Sequence, residues 1–433
     1  MSEALSDSVK ADWEQATAYA LTDEDIERAR LLVGVDVASN LRDYIQTATV
    51  DNIRNFAVGA GNDNPLHCDP DYAETTRWGS VIAPSMMAGV INKPLLGDPM
   101  DPEIKARTKG VFRGIHVFVS GGEWTFYRPI FPGDTLYSFK GEEKLDVNPS
   151  EFAGRNVVQL RRDVKFNQRG EVVAVYRMLK ILTERKTAAK KGKYAKIEPK
   201  TYSDEEIAEI DAIYAAEQVR GAEPRFYEDV QVGDSLGRMA KGPLTVTDVI
   251  CFHSGGYGFL PYAPTVGRLA WKNRQRIAPF YVKNEHGVPD VAQRVHWDSA
   301  WAQAIGNPMA YDYGVMRENY VYHYLTDWCG DDGWVVRQND QLRKFNYIGD
   351  TQIITGEVTA KREDAGRCLV EVAVAMTNQR GEKTVTADAT IALPSRTGPA
   401  LLPAAPDDLQ ARVTQMWKRH GELLLARSRR HAG

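Results

Sequence analysis

The pentapeptide Asn-Gln-Arg-Gly-Glu begins at Asn167 and again at Asn378, 211 residues later. Upstream, Gly-Asp-Thr at Gly133 recurs at Gly349, 216 residues on. Further upstream, His67-Cys-Asp-Pro-Asp-Tyr-Ala is matched by His296-Trp-Asp-Ser-Ala-Trp-Ala, 229 residues on. Three collinear matches at similar offsets mark an internal duplication, with loop insertions absorbing the drift. A chain of 433 residues has room for two such units.

Each copy has the same order of elements. A polar loop ends in His-x-Asp, and an apolar stretch follows at 85–96 in the first copy and 314–328 in the second. Both stretches are dense in Met, Val, Ile, Leu, Tyr or Trp, which predicts a helix buried on most faces. Strand-rich runs come next. Residues 156–163 and 172–182 flank Asn-Gln-Arg-Gly, and 368–376 and 383–393 repeat that strand–turn–strand signature. Gly-Asp-Thr marks a tight turn feeding a strand. A long antiparallel pair must bury one face, and the preceding helix is the available partner. The expected fold is therefore α+β: two antiparallel sheets, each wrapped around a central helix.

The expected organisation is a first half at 1–185, a basic linker and surface helix at 186–225, a second half at 226–398, and a helical tail at 399–433. Ser203 followed by Asp204, Glu205 and Glu206 signals the start of the surface helix. The second half holds an extra segment at about 257–294, with Trp271, Phe280 and Tyr281, read as a lid or pocket wall. Two halves pairing edge to edge would remove exposed strand edges. A homodimer of such chains is a further possibility.

A net charge of −4 argues against a dedicated nucleic-acid binder. The four cysteines, Cys68, Cys251, Cys329 and Cys368, form no Cys-x-x-Cys pair, and no histidine pair has metal-site spacing. The first ten residues are polar and acidic, unlike a secretory leader. No apolar run reaches the roughly 20 residues of a membrane helix. These features describe a cytoplasmic protein with no membrane partner, no metal and no cofactor.

The loop from Phe56 to Ala73 carries the densest chemistry. Asn62, Asp63 and Asp69 surround His67 within a few residues. A carboxylate and an imidazole brought together by a turn can share proton work on one water. Asp69, just before Pro70, also suits a helix cap. The second copy offers Asp290 and His296 as a candidate pair, six residues apart. His116, His253 and His323 are isolated and read as structural. Trp78, Trp301 and Trp328 read as core. Ser85 lacks a nucleophile-elbow context, and no glycine-rich stretch has a phosphate- or dinucleotide-binding form.

Asn64-Pro-Leu-His67-Cys-Asp69 resembles the motif Gly-Asp-x-Asn-Pro-x-His-x-Asp of the MaoC-like (R)-specific enoyl-CoA hydratases and dehydratases. Residues 81–87 resemble the entry to that family's central helix, and 119–136 the strand region of the N-terminal half of its two-domain members. Residues 296–302, 310–314 and 325–333 are similar to the C-terminal half. The resemblance implies a double hot-dog fold acting on an acyl-CoA thioester in lipid metabolism. Water would add to, or leave, the α,β bond of a 2-enoyl-CoA or 3-hydroxyacyl-CoA. It implies that His67 and a neighbouring oxygen-bearing side chain, Asp63 or Asn62, handle the protons. A backbone amide at the entry to the central helix, Ser85 in the first half or Gly314 in the second, would bind the thioester oxygen. The chain departs from the motif at one position: the motif's Asp falls on Asn62, and an amide cannot accept water's proton. In the second half, residues 259–262 resemble a decayed start of the motif. Four readings follow: catalysis at His67, catalysis at Asp290 and His296, a non-catalytic or regulatory acyl-thioester binder, and a hot-dog thioesterase, which the Asn-Pro-Leu-His run favours less than water addition at carbon three.

Overall fold

The computed structural model describes residues 21–112, 115–150, 154–183, 197–258, 264–305 and 307–431. Twelve strands are used below: β1 (Val37–Ala38), β2 (His116–Phe126), β3 (Leu136–Ser150), β4 (Gly154–Asn167), β5 (Val172–Thr183), β6 (Ser235–Lys241), β7 (Tyr281–Lys283), β8 (Pro289–Val291), β9 (Trp334–Leu342), β10 (Gln352–Asp364), β11 (Arg367–Asn378) and β12 (Lys383–Leu393). Ten of them form one antiparallel sheet in the order β1-β3-β4-β5-β2-β9-β12-β11-β10-β6. The order reads the same from either edge, each strand of one half having its counterpart in the other. The architecture is the double hot-dog, with one refinement: the two expected sheets are continuous, joined where β2 pairs with β9.

Backbone at the seam comes unusually close. Gly121 has φ of 118°, and a β-carbon there would overlap the Asp340 carbonyl. Only glycine fits a backbone this near another strand.

The helices that matter for the site are α1 (Val50–Gly59), α2 (Pro65–Cys68), α3 (Pro70–Glu74), α4 (Val246–Phe252), α5 (Gly314–Cys329) and α6 (Asp407–His431). In the second half the expected central helix is present as α5, and almost all of its side chains are buried. Met316, Val321 and Leu325 share one core with Ile354, Val372 and Met376 of the sheet.

The first half corrects the expectation. Its apolar stretch makes only a 3-10 turn, Ser85–Gly89, and the chain then runs extended. Gly89 and β-branched Val90 and Ile91 favour the helix little, and Pro94 disfavours a helical Lys93. The backbone bonds go elsewhere: Asn92 N–H to Ile45 O, Lys93 N–H to Leu136 O and Leu95 N–H to Ser39 O. Of the two apolar stretches only the second makes a long helix, α5, which packs on β9, β12 and β6.

The repeated motifs dock on one another. In the first half Asp134 accepts from Gln168 and Arg169, while Thr135 N–H donates to Gln168. In the second, Asp350 accepts from Gln379 and Arg380, and Thr351 N–H donates to Gln379. The recurring peptides are the two sides of one turn-to-turn clamp.

The surface helix is Asp204–Ala216, capped by Ser203. The extra segment contains helix Gly267–Arg276 and the β7–β8 ribbon. Helix α6 packs on the outside of the first half, with Leu409 and Val413 against Phe139, Phe166 and Val175.

Candidate active site

His67 sits on the single turn α2. Asn64 begins that turn by accepting the Leu66 N–H, and Pro65 fits its first position. The ring's Nδ1 lies 2.7 Å from the Ile82 carbonyl. A carbonyl only accepts, so Nδ1 carries the proton and Nε2 keeps its lone pair. That Nε2 is buried and has no hydrogen-bond partner among the described residues. Burial pushes the ring's pKa down to about 4, with the Ile82 carbonyl opposing the fall. Near neutral pH His67 is thus an uncharged base with an open acceptor.

The second half repeats this skeleton. His296 Nδ1 lies 2.9 Å from the Tyr311 carbonyl, and burial again lowers the ring's pKa to about 4. In each half the accepting carbonyl comes 15 residues after the histidine. Ser85 and Gly314 each follow that carbonyl by three residues. Asp69 caps α3 through the amides of Asp71 and Tyr72, and Asp298 caps Ser299–Ala304 through the amide of Trp301. Both aspartates are therefore capping groups.

The surroundings differ. His296 is stacked on Tyr313, with ring centroids 3.7 Å apart. The Tyr313 hydroxyl accepts from Gln293 and donates to Nε2 of His253, whose Nδ1 faces the Gly258 carbonyl. Asp290 lies in β8 opposite Val282 and accepts the Val291 N–H. Helices α1 and α4 start with matching capping boxes, at Thr49 and Thr245, 196 residues apart. The same offset sets Gly258 at the place of Asn62. Residues 259–262, expected to hold the motif's remnant, fall outside the described residues.

Around His67, Asn62 is buried and accepts the Asn64 N–H, which closes the turn. Asp63 is solvent-exposed. Ser85 begins the 3-10 turn, and its hydroxyl accepts from Tyr322 of α5 at 2.9 Å. Burial raises the Tyr322 phenol to about 12, and the Ser85 hydroxyl and amide oppose that rise. Gly314 is the first residue of α5. Trp301 and Trp328 are buried, and half-buried Trp78 packs on the core.

Sequence reasoning passed over one group. Asn64 Nδ2 donates to Asp327 Oδ1 at 3.3 Å. Asp327 Oδ2 is 3.0 Å from His323 Nε2, out of line for a straight hydrogen bond. Lys241 Nζ lies 2.8 Å from His323 Nδ1 and 2.9 Å from the Gly61 carbonyl. The sequence presents His323 as an isolated, structural histidine. The i,i+4 spacing of His323 and Asp327 on a helix is the signal that could have flagged them. Burial lowers the pKa of His323, helped by the Lys241 charge, and lowers Lys241 to about 8.

Among the described residues no group of three or more His, Cys, Asp or Glu could hold a metal ion. No described helix is long and apolar enough to cross a membrane.

Residues 33–176 match the family described as FAS1-like, dehydratase domain region. A UPF0336 protein of Streptomyces avermitilis is 29% identical over 115 residues, covering 26% of this chain and 70% of that protein. A solved MaoC-like dehydratase superposes with a TM-score of 0.54 at 16% identity, covering 83% of this chain and 98% of its own. A MaoC domain protein dehydratase from Chloroflexus aurantiacus gives a TM-score of 0.49 at 15% identity, covering 84% and 96%.

Proposed function

From a chain that has the two-half hot-dog fold and whose residues 33–176 match the FAS1-like dehydratase domain region, we propose a hydratase or dehydratase acting on an acyl-CoA thioester at His67. One observation carries this reading: a neutral imidazole, locked in one tautomer by Ile82, keeps a buried Nε2 lone pair unpaired. A buried acceptor left open is costly for a purely structural residue and useful to a proton-transfer group.

In the hydration direction Nε2 takes a proton from water as the water oxygen bonds to carbon three of a 2-enoyl thioester. The π electrons move to the thioester oxygen, and the resulting enolate takes that proton from Nε2 at carbon two, which returns His67 to its neutral form. Water is gained across the double bond, and dehydration is the reverse. The Ser85 amide, at the start of its turn, would meet the enolate oxygen once the Tyr322 hydroxyl yields its place. The hot-dog fold offers His296 the same tautomer, but its face is taken by Tyr313. The first half is therefore the better site.

The test is hydration of 2-enoyl-CoA esters of several chain lengths, followed by loss of the enoyl absorbance. His67→Gln should lower kcat by about 100-fold or more. His296→Gln should stay within about threefold of the parent. Absence of turnover with every ester tried would overturn the reading. A second reading, an acyl-thioester binder without turnover, is favoured by Asn62 and by the burial of His67, which is 2% exposed. It expects tight binding of the esters and no hydration.

A further inference from the structure

The loop that carries His67 does not itself supply a buried carboxylate beside the ring. Asn62 is an amide, Asp63 is solvent-exposed, and Asp69 is spent on the cap of α3. A carboxylate does reach this loop from the other half. Asp327 on α5 is bonded to Asn64, three residues before His67. It is buried with His323 beside it, and Lys241 on β6 stands behind His323.

We propose that Asp327, with His323 and Lys241 behind it, is the positioning carboxylate for His67, so that the active site is a composite of both halves. The inference rests on the hydratase reading above. Two consequences of the geometry support it. Through Asn64, Asp327 holds the turn that aims the His67 ring. Its negative charge also favours the imidazolium that forms when Nε2 takes water's proton: burial and the neighbouring His323 hold the His67 pKa down, and Asp327 acts to raise it.

For that charge to stay available, His323 must remain uncharged. Lys241 secures this, because its ammonium donates to Nδ1 and leaves the His323 proton on Nε2, facing Asp327. The other charged groups facing this cluster are Asp63 from the loop and Glu217, both of which favour the charged form of Lys241. The chain of groups is then Asn64, Asp327, His323 and Lys241, spanning a loop, a helix and a strand from the two halves.

The experiment is the pH dependence of kcat and KM for enoyl-CoA hydration by the full chain and three variants. Asp327→Asn should lower kcat by about 100-fold, change KM by less than about threefold, and move the acid limb of the kcat profile to lower pH. Asn62→Asp added to Asp327→Asn, which returns a carboxylate to the same loop, should recover at least about tenfold of the lost rate. Lys241→Met, at a half-buried position, serves if the Asp327 variant does not fold. Its rate loss should deepen as pH falls, because His323 can then take a proton and neutralise Asp327. A structural role predicts a loss independent of pH and no recovery by Asn62→Asp. Parent activity with unmoved profiles in Asp327→Asn or Lys241→Met overturns the composite site and leaves the hydratase reading standing. A parent without turnover overturns the hydratase reading itself.

Discussion

Gly59 and Gly255 approach so closely that a β-carbon built on either would lie 2.9 Å from the α-carbon of the other. Each glycine stands ten residues after the threonine that caps its helix, Thr49 for α1 and Thr245 for α4. Gly255 lies in the π-helical turn His253–Tyr257 that continues α4, so α1 and this continuation meet at a point related by the internal duplication. This crossing holds the His67 loop of one half against the other.

An alanine at either glycine should force those backbones apart. Gly59→Ala and Gly255→Ala should each cost about 1–3 kcal/mol and lower the melting temperature. Gly421→Ala is the control. It lies in α6 with nothing within 4 Å of the new methyl group. It should be neutral or stabilising by up to about 1 kcal/mol. Equal melting temperatures for all three variants would refute the close crossing.

The turn-to-turn clamp gives a second expectation. Asp350 is buried, and both of its oxygens accept from Arg380 while Gln379 also donates to it. Asp350→Asn removes the charge but leaves the guanidinium in place, and should cost about 3 kcal/mol. Arg380→Lys loses the two-pronged geometry and should also destabilise, by less. Urea unfolding of both variants decides it, and a change under about 0.5 kcal/mol for Asp350→Asn would mean that the clamp is slack.

Much of this was legible in the sequence, for identifiable reasons. The duplication was visible because the clamp needs the same residues twice: an aspartate after glycine on one turn, and glutamine and arginine on the other. The strands around Asn-Gln-Arg-Gly and the helix α5 were visible from periodicity and turn chemistry. His67 was visible because its turn needs Asn64 and Pro65. The shortened helix at Ser85 was missed because hydropathy cannot distinguish a buried helix from a buried extended segment. The continuous sheet depends on a β2–β9 pairing that no local pattern encodes. The role of Gly258, and the contact of Asn64 with Asp327 some 263 residues away, exist only after the halves have docked.

Another buried carboxylate sits at the seam between the halves. Glu318 accepts from the Tyr176 hydroxyl and the Trp124 indole, with Asp340 nearby as a second buried acid. Burial raises Glu318 to about 7, and burial with the charge of Glu318 raises Asp340 well above the usual carboxylate range. An acid kept protonated by the fold but titrating near 4.5 when unfolded leaves stability whole below that value. Stability then declines as pH rises through about 7. Glu318→Gln cannot ionise. Its melting temperature should exceed the parent's at about pH 8, with the difference shrinking toward about pH 5. A pH-independent difference would show that the carboxyl does not titrate in this range.

Helix α6 supplies the opposite sign. His420 accepts the Leu96 N–H at its Nδ1, at 2.8 Å, and stacks on Trp417. Burial and the Lys93 charge hold its pKa below the ordinary 6.5. A histidine with a lowered folded pKa contributes fully above its unfolded value, and the contribution is lost as pH falls through the folded one. The reason is local: a proton on Nδ1 would face the Leu96 N–H and break the bond that pins α6 to the first half. Acidification to about pH 5 should therefore loosen α6 before the sheet unfolds. The measurement is amide hydrogen exchange across α6 at about pH 5 and pH 8, corrected for the intrinsic pH dependence of exchange. His420→Asn keeps an acceptor in nearly the same place but carries no titrating group. It should retain protection of α6 at the lower pH, where the parent loses it. If parent and variant exchange alike at both values, the His420–Leu96 bond is not what fastens the helix, and its attachment rests on the packing of Leu409, Val413 and Trp417 and on the bonds of Gln410 to Gly170, Arg412 to Asp36 and Arg419 to Asp98.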